Sequence, residues 1–182
     1  MKRCDWAGEL PIYVDYHDKE WGKPQFDEQK LFEKICLEGQ QAGLSWITVL
    51  KKRENYRAAF FDFDPAKIAQ MNEADLDRLM QNEGLIRHRA KLAAIVTNAK
   101  AFMAMKERGE NFTDFIWAFV NHQPQINDVP NLASVPAQTV VSQAMSKALK
   151  KKGFVFVGPT TCYAFMQSMG LVNDHLNDCC CK

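Results

Sequence analysis

Sustained period-two alternation, the mark of a half-buried strand, is missing from this 182-residue chain. The one short β-like run, Phe154-Val155-Phe156-Val157, meets a glycine at once. Helical punctuation recurs instead. Asp27 is placed to cap a segment whose Leu31, Phe32, Ile35 and Cys36 share one face through i, i+3, i+4 spacing. Ser45 opens a second helix that carries Ile47, Leu50 and Tyr56 inward. Asp64-Pro65 reads as an N-cap followed by proline at the first helical position, where its missing N–H costs nothing. Asn72 with Asp75 fits a variant of the capping box. Leu92, Ile95, Val96, Ala99 and Phe102 make a long apolar stripe ending at Gly109, and Thr113 opens the segment FIWAFV. Ser142 caps a helix that Gly153 terminates, and residues 160–169 form a last helix closed by Gly170. There is no repeat and no linker long enough to separate independent domains. The expectation is one all-α domain over residues 1–182, built of many short helices.

The chain is 47% apolar, enough to bury a core without disulfide staples. Its 23 basic and 22 acidic side chains exclude a histone-like polycation but not a local basic surface. No run reaches the ~18 apolar residues that would cross a membrane, and the N-terminus lacks the apolar stretch of a signal peptide. A cytoplasmic protein without a membrane partner is expected. Its six cysteines then read as thiols or metal ligands. Basic residues gather in three places: Lys51, Lys52, Arg53 and Arg57; Arg87, Arg89 and Lys91; Lys147, Lys150, Lys151 and Lys152. Each group borders a helix end, where cations complement the dipole. Three such groups beside glycine-containing turns also suit a phosphate-facing surface.

Residues 147–170 read as helix, apolar turn with glycine, helix. The first N–H groups of the second helix, around Gly158, Pro159, Thr160 and Thr161, have no intrahelical partners. With Lys151 beside them they could hold a DNA phosphate without reading sequence. An ordinary corner packed by Phe154, Val155 and Val157 is the plainer alternative. The string FVGPTTCYAF, followed by LVNDH at 171–175, resembles the helix-hairpin-helix signature of base-excision DNA glycosylases. That resemblance implies a hairpin over residues 142–170 and double-stranded DNA as partner. Phe156 and Gly158 stand where the signature has two glycines. Thr160 stands where bifunctional members carry lysine, so no amine is placed for a Schiff base and no lyase step is expected. The superfamily's aspartate position falls on Asn173, so a carboxylate must come from elsewhere.

Cys4 and His17 lie at one end of the chain, His175 and Cys179 at the other. Two cysteines and two histidines make a closed, tetrahedral zinc set of structural character. It would staple residues 1–25, poor in helix signals, to residues 171–182. Scattered thiols and a surface histidine are the alternative. Trp6, Tyr13, Tyr16, Trp21 and Trp46 crowd the N-terminal part. Core filling is the default for such rings, and Trp117 is assigned to it. In turn-rich polar sequence, however, several rings around one carboxylate also make a slot for a flat, cationic ring. Glu38, beside Gly39 at the end of an amphipathic helix, is the candidate carboxylate; a solvated helix-end glutamate is the alternative. His88 reads as a phosphate contact or plain surface, and His122 as structural.

The strings RCDW (3–6), YVDYHDKEWG (13–22), EKICLEGQQAGLSW (33–46), KKRENYRA (51–58) and AFVNHQPQ (118–125) resemble the DNA-3-methyladenine glycosylase I family. With the hairpin the similarity runs end to end. It implies one structural Zn²⁺ per chain on Cys4, His17, His175 and Cys179. It implies hydrolysis of the N-glycosidic bond of 3-methyladenine in alkylated duplex DNA, by a monomer, with the free base as product. A 3-methylated adenine is cationic and leaves as a neutral base, so little acid help is needed. In the expected pocket Trp46 stacks on the flipped base. Tyr16 and Glu38 bond its polar edge, Glu38 is the catalytic carboxylate, and Trp6, Trp21 and Tyr13 complete the wall. Two rivals remain. A non-catalytic, zinc-stapled DNA-binding module would share the hairpin but need no pocket. A metallohydrolase would hold zinc by three side chains and a water.

Overall fold

In the computed structural model, which describes residues 1–182, nine helices carry the chain. They are α1 (Pro11–Lys19), α2 (Glu28–Gln40), α3 (Trp46–Ala59), α4 (Pro65–Ile68), α5 (Glu73–Leu79), α6 (Arg89–Glu107), α7 (Phe112–Trp117), α8 (Val140–Lys151) and α9 (Pro159–Ser168). The only ladder joins β1 (Gln125–Ile126) in parallel to β2 (Val172–Asn173). The β-like run at 154–157 is no strand; it makes the turn between α8 and α9. No helix is long and apolar enough to cross a membrane.

Most starts follow the capping logic. Asp27 accepts the N–H of Lys30 at 2.9 Å and Asp64 that of Ala66 at 3.0 Å. Asn72 and Asp75 form a reciprocal box. Two starts fall earlier than expected. Asn111, not Thr113, caps α7 by accepting from Asp114, and the Thr113 hydroxyl donates to the Phe26 carbonyl instead. Thr139, not Ser142, caps α8, with Ser142 as the third helical residue of its box. In such a box both ends carry a side-chain oxygen, so sequence alone does not tell the first from the fourth. Ser45 does precede α3, but its hydroxyl is engaged with that of Thr48. Val49, Leu50 and Tyr56 are the buried residues of that helix, while Ile47 is half-buried. The N-terminal arm is more ordered than its sequence suggested: Pro11 opens α1 at its first turn.

α2 runs through the middle, with Leu31, Phe32, Ile35 and Leu37 wholly buried. Each such side chain contributes about 1.5–3 kcal/mol through removal from water. α2 packs on α9, α6 and α3, and one core of 34 residues joins them. Trp117 belongs to that core, with its indole N–H donated to the Gln25 carbonyl at 2.8 Å.

α8 and α9 pack together as the helix-hairpin-helix. Asn98 of α6 clamps its turn, accepting the N–H of Val155 at 2.8 Å and donating to its carbonyl at 3.2 Å. The left-handed residue of the turn is Phe156 (φ 56°). Gly158 is extended (φ −63°) and caps α9, so positive φ is not what requires glycine there. A β-carbon at Gly158 would meet nothing within 4 Å, so the space before the α9 N-terminus is open.

The basic groups are largely engaged inside the molecule. Arg53 pairs with Glu20, Arg57 with Glu33 and Glu54, Arg89 with Glu73 and Asp77, and Lys152 with Glu110. Lys91 is buried and donates to the carbonyls of Gln40 and Ala42 at 3.0 and 2.5 Å, closing the C-terminus of α2. His88 caps α6, its Nδ1 accepting from Lys91. The exposed cations outside any ion pair include Lys147, Lys150 and Lys151, which flank the hairpin.

Candidate active site

The last turn of α2 brings Glu38 to a cavity of about 250 Å³. The helix around it is core on every side, so Glu38 is only 4% exposed rather than a solvated helix-end residue. Trp6, Tyr13, Tyr16, Trp21 and Trp46 all line the same cavity. α1 supplies Tyr13 and Tyr16, and the start of α3 supplies Trp46. The rings form a continuous wall. Trp6 stands 5.1 Å from Tyr13 and 5.0 Å from Trp21, and Tyr16 stands 5.5 Å from Trp46, centroid to centroid. The Trp46 indole N–H is buried and has no acceptor within the chain.

Burial pushes the Glu38 carboxyl upward, toward neutrality, against the pull of the Lys34 ammonium. Burial lowers Lys34 in turn, and the Glu38 carboxylate opposes that fall. Tyr16, buried and facing Glu38, is held well above its ordinary range and stays a phenol. A carboxylate among aromatic faces attracts a planar cation more strongly than it would in water.

Lys34, Gln41, Gln167 and Asp174 escaped the sequence reading, and all but Lys34 line the cavity. Lys34 donates to the Tyr16 hydroxyl at 2.5 Å. Its signal was available: it stands one helical turn before Glu38, on the same face. Asp174 is buried and accepts from Asn127, Tyr163 and Gln167 at 2.7, 2.5 and 3.0 Å. Its neighbour Asn173 accepts from the His175 backbone N–H and lies 2.8 Å from His175 Nδ1.

His17 and His175 adjoin this wall, packed edge-on against Trp6 and Trp21 at 5.1 and 4.7 Å. Ligand atoms of His17, His175, Cys179 and Cys181 lie within 4.8 Å of one another. The tight group thus includes Cys181, which the sequence reading did not choose, and omits Cys4, which it did. Cys4 is buried in the same small cluster as Cys179. Its backbone N–H lies 3.4 Å from His17 Nε2, and its Sγ accepts the N–H of Leu176 at 3.4 Å. Cys179 Sγ lies 3.5 Å from His17 Nε2 and accepts the N–H of Cys181. Cys181 Sγ is on the other side of the ring, 3.9 Å from Nδ1. His17 Nδ1 lies 2.7 Å from Asp18, which Arg3 holds in turn. His175 Nε2 is buried without a partner, and burial, then His17, lowers the ring to about 4, so it is neutral. An orphaned imidazole nitrogen whose opposite nitrogen is hydrogen-bonded is the arrangement a metal ligand needs.

α9 links the cavity to the hairpin. Its Ala164 and Gln167 line the cavity, and Thr160 lies one turn before Ala164 on the same face. Thr161, Thr160, Pro159 and Gly158 therefore lie about 4.5 to 9 Å along the helix axis from Ala164 at the pocket wall. Lys151 is exposed at the end of α8.

Residues 6–182 match the family model described as methyladenine glycosylase. The chain is 76% identical over 180 residues to the DNA-3-methyladenine glycosylase of Haemophilus influenzae, covering 99% of this chain and 97% of that protein. It is 61% identical to DNA-3-methyladenine glycosylase 1 of Escherichia coli K12, over 100% and 97% of the two. A crystal structure of 3-methyladenine DNA glycosylase I superposes with a TM-score of 0.98 at 60% identity, covering 99% of each chain. A variant of 3-methyladenine DNA glycosylase I in complex with 3-methyladenine superposes at 0.96 with 40% identity, over 100% of this chain and 98% of the other. Fold, cavity and sequence agree along the whole length, and the chain belongs to the methyladenine glycosylase family.

Proposed function

We propose that this protein flips 3-methyladenine out of alkylated duplex DNA and hydrolyses its N-glycosidic bond, releasing the free base without a lyase step. One observation carries the reading: a buried carboxylate, Glu38, at a cavity walled by five aromatic side chains. A normal adenine gains no charge complementarity there. A base that is already cationic does, and it needs no proton to leave. Trp46 stacks on the flipped base while Tyr16 and Glu38 take its polar edge, and Trp6, Trp21 and Tyr13 exclude water. As the bond breaks, the base becomes neutral and positive charge moves to the sugar. The Glu38 carboxylate stabilises that charge and orients the attacking water. Thr160 offers no amine, so the sugar is released to water rather than to the protein.

His17, His175 and Cys179 fit a structural Zn²⁺, with Cys4 as the fourth ligand. Both imidazoles turn Nε2 inward while Nδ1 is tied to Asp18 or Asn173. The Cys4 and Cys179 sulfurs each accept a backbone N–H, as thiolates do. The ion would cross-link the two chain ends and supply no chemistry to the reaction. The open α9 N-terminus and Lys151 suit phosphate contact by Gly158, Pro159, Thr160 and Thr161. The protein is read as a cytoplasmic monomer working as a single domain.

A non-catalytic DNA-binding module would have no use for a desolvated carboxylate among rings. Base-release profiling on methylated duplex DNA separates the two: the glycosylase liberates 3-methyladenine, and intact DNA after prolonged incubation would leave only the module.

A further inference from the structure

The four residues proposed above to hold zinc are shut off from solvent. His17, His175, Cys4 and Cys179 are 0, 1, 3 and 6% exposed. Val129 and Leu176 are buried with the two cysteines, and Trp6 packs against them. Carrying a dication through such an apolar cover is costly, so a buried site of this kind needs an entry path.

Two thiols outside the set lead from it to the surface. Cys180 is exposed, and Cys181 is half-buried against the small cluster that contains Cys4 and Cys179. Their sulfurs stand 3.8 Å apart. Cys181 belongs to two donor groups at once. Its sulfur lies within 4.8 Å of ligand atoms of His17, His175 and Cys179 on the inner side, and of Asp18 and Cys180 on the outer. Donors so close together let a cation change partners by a short shift without ever being bare.

The inner and outer thiols also differ in how they are held. Cys4 and Cys179 each accept a backbone N–H, from Leu176 and Cys181. No backbone N–H reaches the sulfurs of Cys180 and Cys181, which meet only each other, His17 Nδ1 at 3.9 Å and Asp18 at 3.8 Å. An outer-shell N–H fixes a sulfur as a permanent ligand. A sulfur without one is free to take a cation and give it up.

We infer that Cys180 and Cys181, with Asp18, form an outer site for a thiophilic dication, here Zn²⁺, through which the buried set is loaded and emptied. The inference rests on the reading of Cys4, His17, His175 and Cys179 as a zinc set. Cys180 and Asp18 take the ion at the surface, and Cys181 hands it inward. In the handover the bond from the Cys181 sulfur breaks as one from the Cys179 sulfur forms. The proton displaced from Cys179 passes to Cys181, so charge and donor number are unchanged and no further reactant is needed. Release is the same exchange in reverse.

The test follows entry of isotopically labelled zinc into the folded, zinc-loaded protein by native mass spectrometry. Elemental analysis gives total zinc, and thermal melting reports folding. Cys181→Ser removes the shared donor and should slow exchange by about tenfold or more, a barrier raised by about 1.4 kcal/mol. Cys180→Ser should slow it less, and the double variant no more than Cys181→Ser alone, because the two thiols act in series. Zinc content and melting temperature should stay at wild-type values throughout. Exchange at the wild-type rate in both single variants overturns the inference: the ion then enters as the chain ends part, or through the base cavity, which Cys4 also lines. Zinc lost outright from folded Cys181→Ser overturns it too, since Cys181 is then a resident ligand. If Cys181→Ser melts early, Cys180→Ser decides, because its side chain is on the surface: slower exchange supports the outer site and an unchanged rate overturns it. Wild-type protein that neither carries zinc nor takes it up overturns the reading of the zinc set itself, and the inference with it.

Discussion

The ring of His175 lies so close over Gly22 that a β-carbon there would stand 2.6 Å from its Cε1. The contact seats the end of the N-terminal arm directly on the C-terminal segment, beside the wall formed by Trp21. Gly22 also has φ of 78°, where an L side chain is strained. Gly22→Ala should therefore cost about 1–3 kcal/mol of stability from backbone strain, with the displacement of His175 added. Urea unfolding measures the loss. Equal midpoints for wild type and variant would mean that the arm is not held at this point.

Metal removal is the second test. A chelator should lower the melting temperature well before it slows base release by the protein that stays folded, because a structural ion contributes to folding rather than to chemistry. The individual thiols can be separated. Cys4→Ser should lose zinc by elemental analysis, whereas Cys181→Ser should keep it, because Cys181 faces the His17 nitrogen already committed to Asp18. The opposite pattern would move the fourth ligand to Cys181.

Glu38→Gln keeps the shape of the pocket floor and removes its charge. Release of 3-methyladenine should fall by about 10²-fold or more, the scale of a lost charge-stabilising group. The wild-type rate should also depend on pH with a definite sign. Burial raises the Glu38 carboxyl toward neutrality, so the carboxylate is present above that point and is lost as pH falls through it. Base release by the wild type should drop on mild acidification, and release by Glu38→Gln should be flat over the same interval. Lys34, lowered by burial, and the phenols of Tyr13 and Tyr16 are the other titratable groups facing this carboxyl. Their deprotonation lies on the alkaline side.

Much of this arrangement was legible in the chain, and the failures share a cause. The stripes of α2 and α6 and the Asp64-Pro65 start rest on local periodicity and caps, which sequence displays directly. The grouping of Trp6, Tyr13, Tyr16 and Trp21 with Trp46 was legible because those rings are misplaced for a core. α1 was not. A nine-residue helix owes its stability to packing rather than propensity, and its inward face is made of Tyr16 and His17. Lys34 and Lys91 were passed over or taken for surface because lysine is rarely buried. Only tertiary packing shows that one meets Tyr16 and the other the carbonyls at the end of α2. For Arg89 the sequence leaves helix-end cation and phosphate contact both open, because its partners, Glu73 and Asp77, lie in the acidic stretch of α5, a separate helix.

These internal pairings narrow where DNA can be held. With Arg53, Arg57, Arg89 and Lys91 engaged within the chain, Lys51 and Arg87 are left as isolated free cations, and the hairpin is where three exposed lysines outside any ion pair stand beside an open helix N-terminus. Lys151→Ala should weaken duplex binding similarly for every sequence and reduce the slope of log affinity against log salt by about one. Thr160→Glu should do more, since it sets a negative charge where the α9 N–H groups would meet a phosphate. Neither change touches the pocket floor, so calorimetric binding of free 3-methyladenine should stay at the wild-type level in both. A loss of free-base affinity in either variant would mean that the hairpin shapes the pocket through α9, whose Ala164 and Gln167 reach its wall, rather than gripping the backbone outside it.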